Sequence, residues 1–293
     1  MTELYATSLQ NSLLGLGLGG AGRIEAVQGE WLYCGNEPHH SGATMNLDDY
    51  LAALETNSEM LAVAATAAGF DASLPTCPEW SMRELVLHLG EVQRWTAAIV
   101  RNQVTNPANG VGDFLGALPD DTELMSWFVA GAALLGNTLR NADPDVECFR
   151  FLEDPPSPLL FWARRQSLEA VIHRIDAQLA GGPSSPIPAV LAADGIDEML
   201  TGFAPRKRTP LHSTNTVVLQ VAPTDVASAW RVTISDQTPV TVRTAGDADC
   251  TVSGTSSDIY EALWNRRGLD SLIVNGDGSV LDAFRENVKV RWG

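Results

Sequence analysis

Four runs of the chain alternate apolar and polar positions with a helical period, and start and stop signals bracket them. The first, about 46–68, has Asn46 as cap, Asp48 and Asp49 in its first turn and Gly69 as terminator. The second, about 81–103, opens on a capping box of Ser81 and Glu84 directly after Pro78-Glu79-Trp80. A third is predicted over about 120–142, with Asp120 and Glu123 in the same relation and Pro144 beyond its end. The fourth, about 158–180, is entered through a proline-rich stretch and closed by Gly181-Gly182-Pro183. Four helices of this length predict a bundle.

Beyond Pro188 the period changes. A further helix is predicted at about 189–202, followed by short β-rich runs at 216–221, 230–235, 240–243 and 250–252. Helices at about 256–267, capped by Ser257, and at 278–288 close the chain. The fold expected is thus an all-α unit over 45–182 and a small α+β unit over 190–293. Residues 1–44 read as a flexible extension, with Met45 as an alternative start. Its glycine tract, Leu14 to Gly22, matches a dinucleotide-loop spacing, but no strand-like run precedes it and no amphipathic helix follows. His39 and His40 sit there among Pro, Ser and Gly and read as loop histidines.

The helical stripes bring chemistry with them. His88 lies three residues after Leu85 and four before Val92, on the inward face of the second helix. On the fourth, Leu168, Ile172, Ile175 and Leu179 mark the core face, and Arg165, Glu169 and His173 form a neighbouring stripe. Two imidazoles and one carboxylate suit a divalent metal and leave coordination positions open, as reactive sites do. His88 is about 10 Å from the start of its helix, and His173 about as far from the end of its own, at ~1.5 Å per residue. They are level only if these two helices run antiparallel. The long connection at about 104–119 allows this, since ~16 extended residues at ~3.3 Å each span a helix of that length. The bundle is therefore expected to have a crossover, with the second and third helices parallel.

Around these three, Asp176 is a candidate to orient a ring or pair with Arg165 or Arg174, although a solvated helix face is the favoured reading. Cys77, in a Pro-flanked turn, reads as a packed thiol, Trp80 and Trp95 as core anchors, and His212 as incidental.

Composition narrows the function. Of 293 residues, 36 are acidic and 19 are Lys or Arg, a formal charge of −17 that supplies no footprint for nucleic acid or an anionic membrane. Cys34, Cys77, Cys148 and Cys250 are scattered without a C-x-x-C pair, as in free thiols of a reducing compartment. No apolar run approaches the roughly 20 residues of a membrane span, and no basic residue precedes the first apolar stretch. A cytoplasmic location is expected.

The stretches Leu74-Pro-Thr-Cys-Pro-Glu-Trp-Ser-Met-Arg-Glu-Leu-Val-Leu-His88-Leu-Gly90 and Arg165…Glu169…His173-Arg-Ile-Asp176 resemble the mycothiol-dependent maleylpyruvate isomerase family, within the wider group of DinB-like helical bundles. The resemblance covers about 46–290 and is stronger in the bundle than beyond it. It implies a crossover DinB-like bundle followed by a small sterol-carrier-like domain, with Val274-Asn-Gly-Asp277 fitting the latter. It also implies that His88, Glu169 and His173 hold a metal, usually zinc, and that mycothiol is the thiol cofactor. Glu79 departs from the glycine common there, and the extension has no counterpart. A thiolate-adding isomerase or S-transferase acting on a small electrophile is the activity implied. A non-catalytic metal scaffold, or a C-terminal unit holding a hydrophobic ligand, is the alternative.

Overall fold

The computed structural model describes residues 45–290 apart from 113, 153, 154, 156 and 208, together with Ala26–Val27 (β1) and Glu30–Trp31 (β2), which pair antiparallel. The glycine tract and His39-His40 lie outside the described residues, as does most of the extension.

Helix α1 spans Leu47–Ala68 and α2 spans Met82–Arg101; Asn46 caps α1 as expected, in a capping box with Asp49, and Ser81 and Glu84 form the expected capping box of α2. Asn46 Oδ1 accepts from the backbone of Asp48 and Asp49, while Asp49 accepts from Asn46 N at 2.9 Å. Ser81 and Glu84 do the same for α2. Helix α3 is Leu124–Arg140, starting later than its acidic residues suggest. Asp120 Oδ1 instead folds a turn ahead of it, accepting from Thr122 N, Thr122 Oγ1 and Glu123 N. Helix α4 is Pro158–Leu179, with Ser157 as cap and Pro158 in its first turn.

Contacts fix the helix directions. Along α2 and α3 partners advance together, from Arg83 with Asp121 to Gly90 under Trp127 and Arg94 against Gly131, so these helices are parallel. Gly90 is needed there, because a Cβ would collide with the Trp127 ring; at Gly131 it would displace the Arg94 guanidinium. That guanidinium stacks on Trp127 at 3.7 Å and donates to the carbonyls of Gly90 and Trp127. His88 meets Glu169, while Thr76, before α2, meets Asp176 farther along α4, so α2 and α4 are antiparallel. The crossover is as expected, and its connection runs over 102–123 with one short 3-10 turn, Pro107–Asn109.

Helix α5, Ala189–Glu198, continues into a π-helical turn, Met199–Phe203. The sheet has the order β5-β4-β3-β6-β7, with strands β3 Val217–Pro223, β4 Trp230–Ile234, β5 Val240–Val242, β6 Cys250–Gly254 and β7 Ile273–Gly276. Only β3 and β6 pair in parallel. Strand β7 was not expected: it is an edge, with Ile273, Asn275 and Gly276 exposed, so no apolar alternation announces it. Helices α6, Ser256–Leu263, and α7, Gly278–Asn287, follow β6 and β7. Thr255, not Ser257, caps α6; the Ser257 hydroxyl accepts from Ile187 N and donates to Glu261. Helix α6 also ends four residues short of expectation, because Asn265 takes a left-handed conformation at φ 58°.

Helix α4 holds both halves together. Every residue from Phe161 to Gln178 is buried, the charged Arg164, Arg165, Glu169, Arg174 and Asp176 included. Arg164 reaches Asp194 at 3.0 Å and Asp197 at 3.1 Å, and one apolar cluster runs from Tyr50 and Trp162 through Phe203 to Val232 and Phe284. No helix among the described residues is long and apolar enough to cross a membrane.

Candidate metal centre

A turn from Leu74 to Trp80, the early part of α2 and the late part of α4 meet around three side chains. One donor atom each of His88, Glu169 and His173 lies within 4.8 Å of the other two. Glu169 Oε1 is 3.2 Å from His173 Nε2 and 3.7 Å from His88 Nε2. Donors at ~2.1 Å from a common tetrahedral ion stand about 3.4 Å apart, close to the two distances from Glu169. His88 Nε2 is buried and finds no hydrogen-bond partner among the described residues, although the side chain as a whole is 18% exposed. A buried nitrogen left this way is costly unless something else takes its lone pair.

The second donor atoms of Glu169 and His173 are tied. Glu169 Oε2 accepts from Arg165 Nη2 at 2.9 Å, and Arg165 Nη1 donates to buried Glu198. His173 Nδ1 stands 3.0 Å from Asp176 Oδ2. Asp176 is completely buried and also accepts from Thr76 Oγ1 at 2.5 Å and from Arg266, so the favoured reading of a solvated Asp176 is corrected. It was placed outside because a carboxylate on a helix usually is; here the C-terminal part covers that face. Trp80 is partly exposed and packs against the apolar cluster around Leu85 and Phe128, as an anchor would, and its ring also lies over His88 at 4.7 Å and His173 at 6.2 Å between centroids. Trp95 also packs as a core anchor, edge-on to Trp162. Cys77, Cys148 and Cys250 are free thiols. Cys77 is half-buried, and burial together with Asp176 pushes its thiol up to about 11, which suits a packed thiol rather than a nucleophile. His212 is exposed and belongs to no such cluster.

Charge and burial oppose each other here. Burial lowers the His88 pKa and favours its neutral ring. Burial also works to raise the Glu169 carboxyl, but the two histidines and Arg165 hold it well below the usual range. For His173 burial is outweighed by hydrogen bonds to Asp176 and Glu169, and its pKa rises to about 9. A pKa raised on folding stabilises fully below the unfolded value of about 6.5, and that contribution is lost as pH rises through the folded value. The metal-stripped protein is thus expected to lose on the order of 3 kcal/mol between pH 6.5 and 9. Urea midpoints at those two values check it; a flat or rising profile would refute the His173–Asp176–Glu169 coupling.

A crossover bundle presenting His, Glu and His from two antiparallel helices, followed by a small α+β unit, is a DinB-like architecture. The chain belongs to the mycothiol maleylpyruvate isomerase family: the model of its N-terminal domain matches residues 51–178 and that of the MDMPI C-terminal domain residues 190–283. Among solved structures, a mycothiol-dependent maleylpyruvate isomerase is similar with a TM-score of 0.53 at 14% identity, over 79% of this chain and 93% of that one. A histidine-to-alanine mutant of a mycothiol-dependent maleylpyruvate isomerase matches with the same figures, and both likenesses bear on the fold. No curated protein matches the sequence.

Proposed function

We propose that His88, Glu169 and His173 hold a divalent ion, zinc by the character of the donors, in an enzyme that joins the thiol of mycothiol to a small electrophile. Two neutral imidazoles and one carboxylate give a Zn²⁺ site a net charge of about +1 and leave positions open. Such an ion lowers the pKa of an entering thiol far below its free value near about 8.5, so no protein nucleophile is required.

The chain's own residues set the stage for this. Asp176 Oδ2 accepts a hydrogen bond from Nδ1–H of His173, so that in the neutral ring the Nε2 lone pair is the one left to coordinate. Arg165 holds Oε2 of Glu169 and so turns Oε1 toward the two imidazoles. The Trp80 ring covers both histidines from one side and shields them from water. With an unsaturated keto acid as electrophile, thiol addition to the double bond, rotation and loss of the thiol give cis–trans isomerisation. With a leaving group or an epoxide, the sulfur stays on carbon and the outcome is S-transfer. We place the protein in the cytoplasm, with small molecules rather than nucleic acid as partners.

What supports the reading most is the convergence of three donors from two antiparallel helices on a point where His88 Nε2 is buried and makes no hydrogen bond among the described residues. Two clefts of about 550 and 240 Å³ border the C-terminal part, both along Arg206, and neither is lined by these three residues. A panel of electrophiles assayed with mycothiol and with glutathione, with and without chelator, tests the proposal. Mycothiol-dependent consumption that stops on chelation and returns with Zn²⁺ is expected. Turnover indifferent to chelator would overturn it, and metal binding without turnover of any electrophile would leave a scaffold.

A further inference from the structure

We infer that Arg266, delivered by the C-terminal part of the chain, is a positioning residue that locks the metal centre through Asp176; this rests on the metal reading above. Its guanidinium grips the carboxylate at both oxygens, Nε to Oδ1 at 2.8 Å and Nη2 to Oδ2 at 2.9 Å. The same Oδ2 faces His173 Nδ1 at 3.0 Å, and Oδ1 accepts from Thr76 Oγ1. Oδ1 thus has two partners and Oδ2 three, the third being Cys77 Sγ at 3.7 Å, and the group cannot rotate without breaking a bond to one of three chain segments. What it fixes is the ring orientation and tautomer of His173, hence the direction of the Nε2 lone pair.

The arginine is itself held. Its Nη1 donates to Trp264 O at 3.0 Å, its backbone N–H to Glu261 O at 2.8 Å, and Nη2 lies 3.6 Å from Cys77 Sγ. The left-handed turn at Asn265 ends α6 and places the next residue on the bundle. An ion pair serving only to join the two halves could form anywhere along α4, as Arg164 of α4 does with Asp194 and Asp197 of α5. Among the described residues, Arg266 pairs with the one carboxylate that touches a candidate ligand's second nitrogen. Asp176 is wholly buried, whereas the Arg266 side chain keeps 16% of its surface exposed, so the grip closes over the carboxylate from outside.

The lock predicts its own variants. Arg266→Gln in the full chain is expected to weaken Zn²⁺ binding by about 10- to 100-fold, the usual effect of losing such an outer partner. Arg266→Lys should recover part of this, since an ammonium cannot make the two-point contact. Zn²⁺ affinity is read by competition with a chelator of known affinity, Co²⁺ absorption reports the ligand geometry, and thermal melting of the stripped proteins reports stability. A changed Co²⁺ spectrum with weakened Zn²⁺ binding supports the lock. A less stable Arg266→Gln protein that binds Zn²⁺ as tightly as the wild type overturns it, leaving a structural ion pair. Should Arg266→Gln fail to fold, Arg266→Lys decides by the same comparison. A wild type that takes up no metal sinks the metal reading, and the lock with it; wild-type binding with no change in either variant sinks the lock alone.

Discussion

Replacing His88 with alanine is expected to abolish metal uptake and thiol-dependent turnover while leaving the bundle folded. The two consequences separate because His88 does little for the fold. Its Nε2 makes no hydrogen bond among the described residues, and the side chain is partly open to solvent. Truncation therefore removes ring contacts with Trp80 and His173 and the 3.7 Å approach to Glu169, a loss of about 1 kcal/mol by the ordinary run of substitutions. The metal, in contrast, would lose one of three ligands. Outer-partner losses alone cost about 10- to 100-fold in affinity, so a missing ligand should exceed that. Metal content after dialysis, the urea midpoint and turnover with mycothiol form the test. An alanine variant that retains metal and full activity would remove His88 from the centre and end the proposed chemistry.

What the sequence disclosed, and what it hid, divides along the range of the interactions. The caps at Asn46 and Ser81 were legible because each is closed within four residues. The crossover was legible because two candidate ligands at opposite helical depths can meet only when α2 and α4 run antiparallel, and a long connection permits it. Local signals failed where a neighbour competed for the same group. Asp120 spends its carboxylate on a turn and Ser257 its hydroxyl on Ile187 and Glu261, so neither starts its helix. The deeper failure was on α4. A helix that carries arginines, a glutamate and an aspartate reads as having one wet face, yet here a second unit covers it. Asp176 was therefore assigned to solvent, and Arg266, 90 residues downstream, gave no local sign of its destination.

Asp176→Ala should cost about 3–5 kcal/mol of stability at neutral pH, the range seen when one partner of a buried ion pair is removed. The carboxylate accepts from Thr76 and twice from Arg266 and also faces His173 and the Cys77 thiol. Its removal leaves a guanidinium and an imidazole desolvated without their acceptor, which is worse than losing the bonds alone. Burial would raise the Asp176 pKa, but His173 and Arg266 hold it far below the usual range. For a depressed carboxyl the stabilisation is complete above the unfolded pKa of about 3.9 and is lost only as pH falls through the lower folded value. Urea titrations at pH 7 therefore measure the whole effect, and the difference from wild type should shrink in strong acid. Combining Asp176→Ala with Arg266→Gln should cost less than the two changes added together, because the second removes the charge that the first strands. Strict additivity, or a single-variant loss below about 1 kcal/mol, would mean that Asp176 is solvated after all. The path from the C-terminal part to His173 would then have no physical basis.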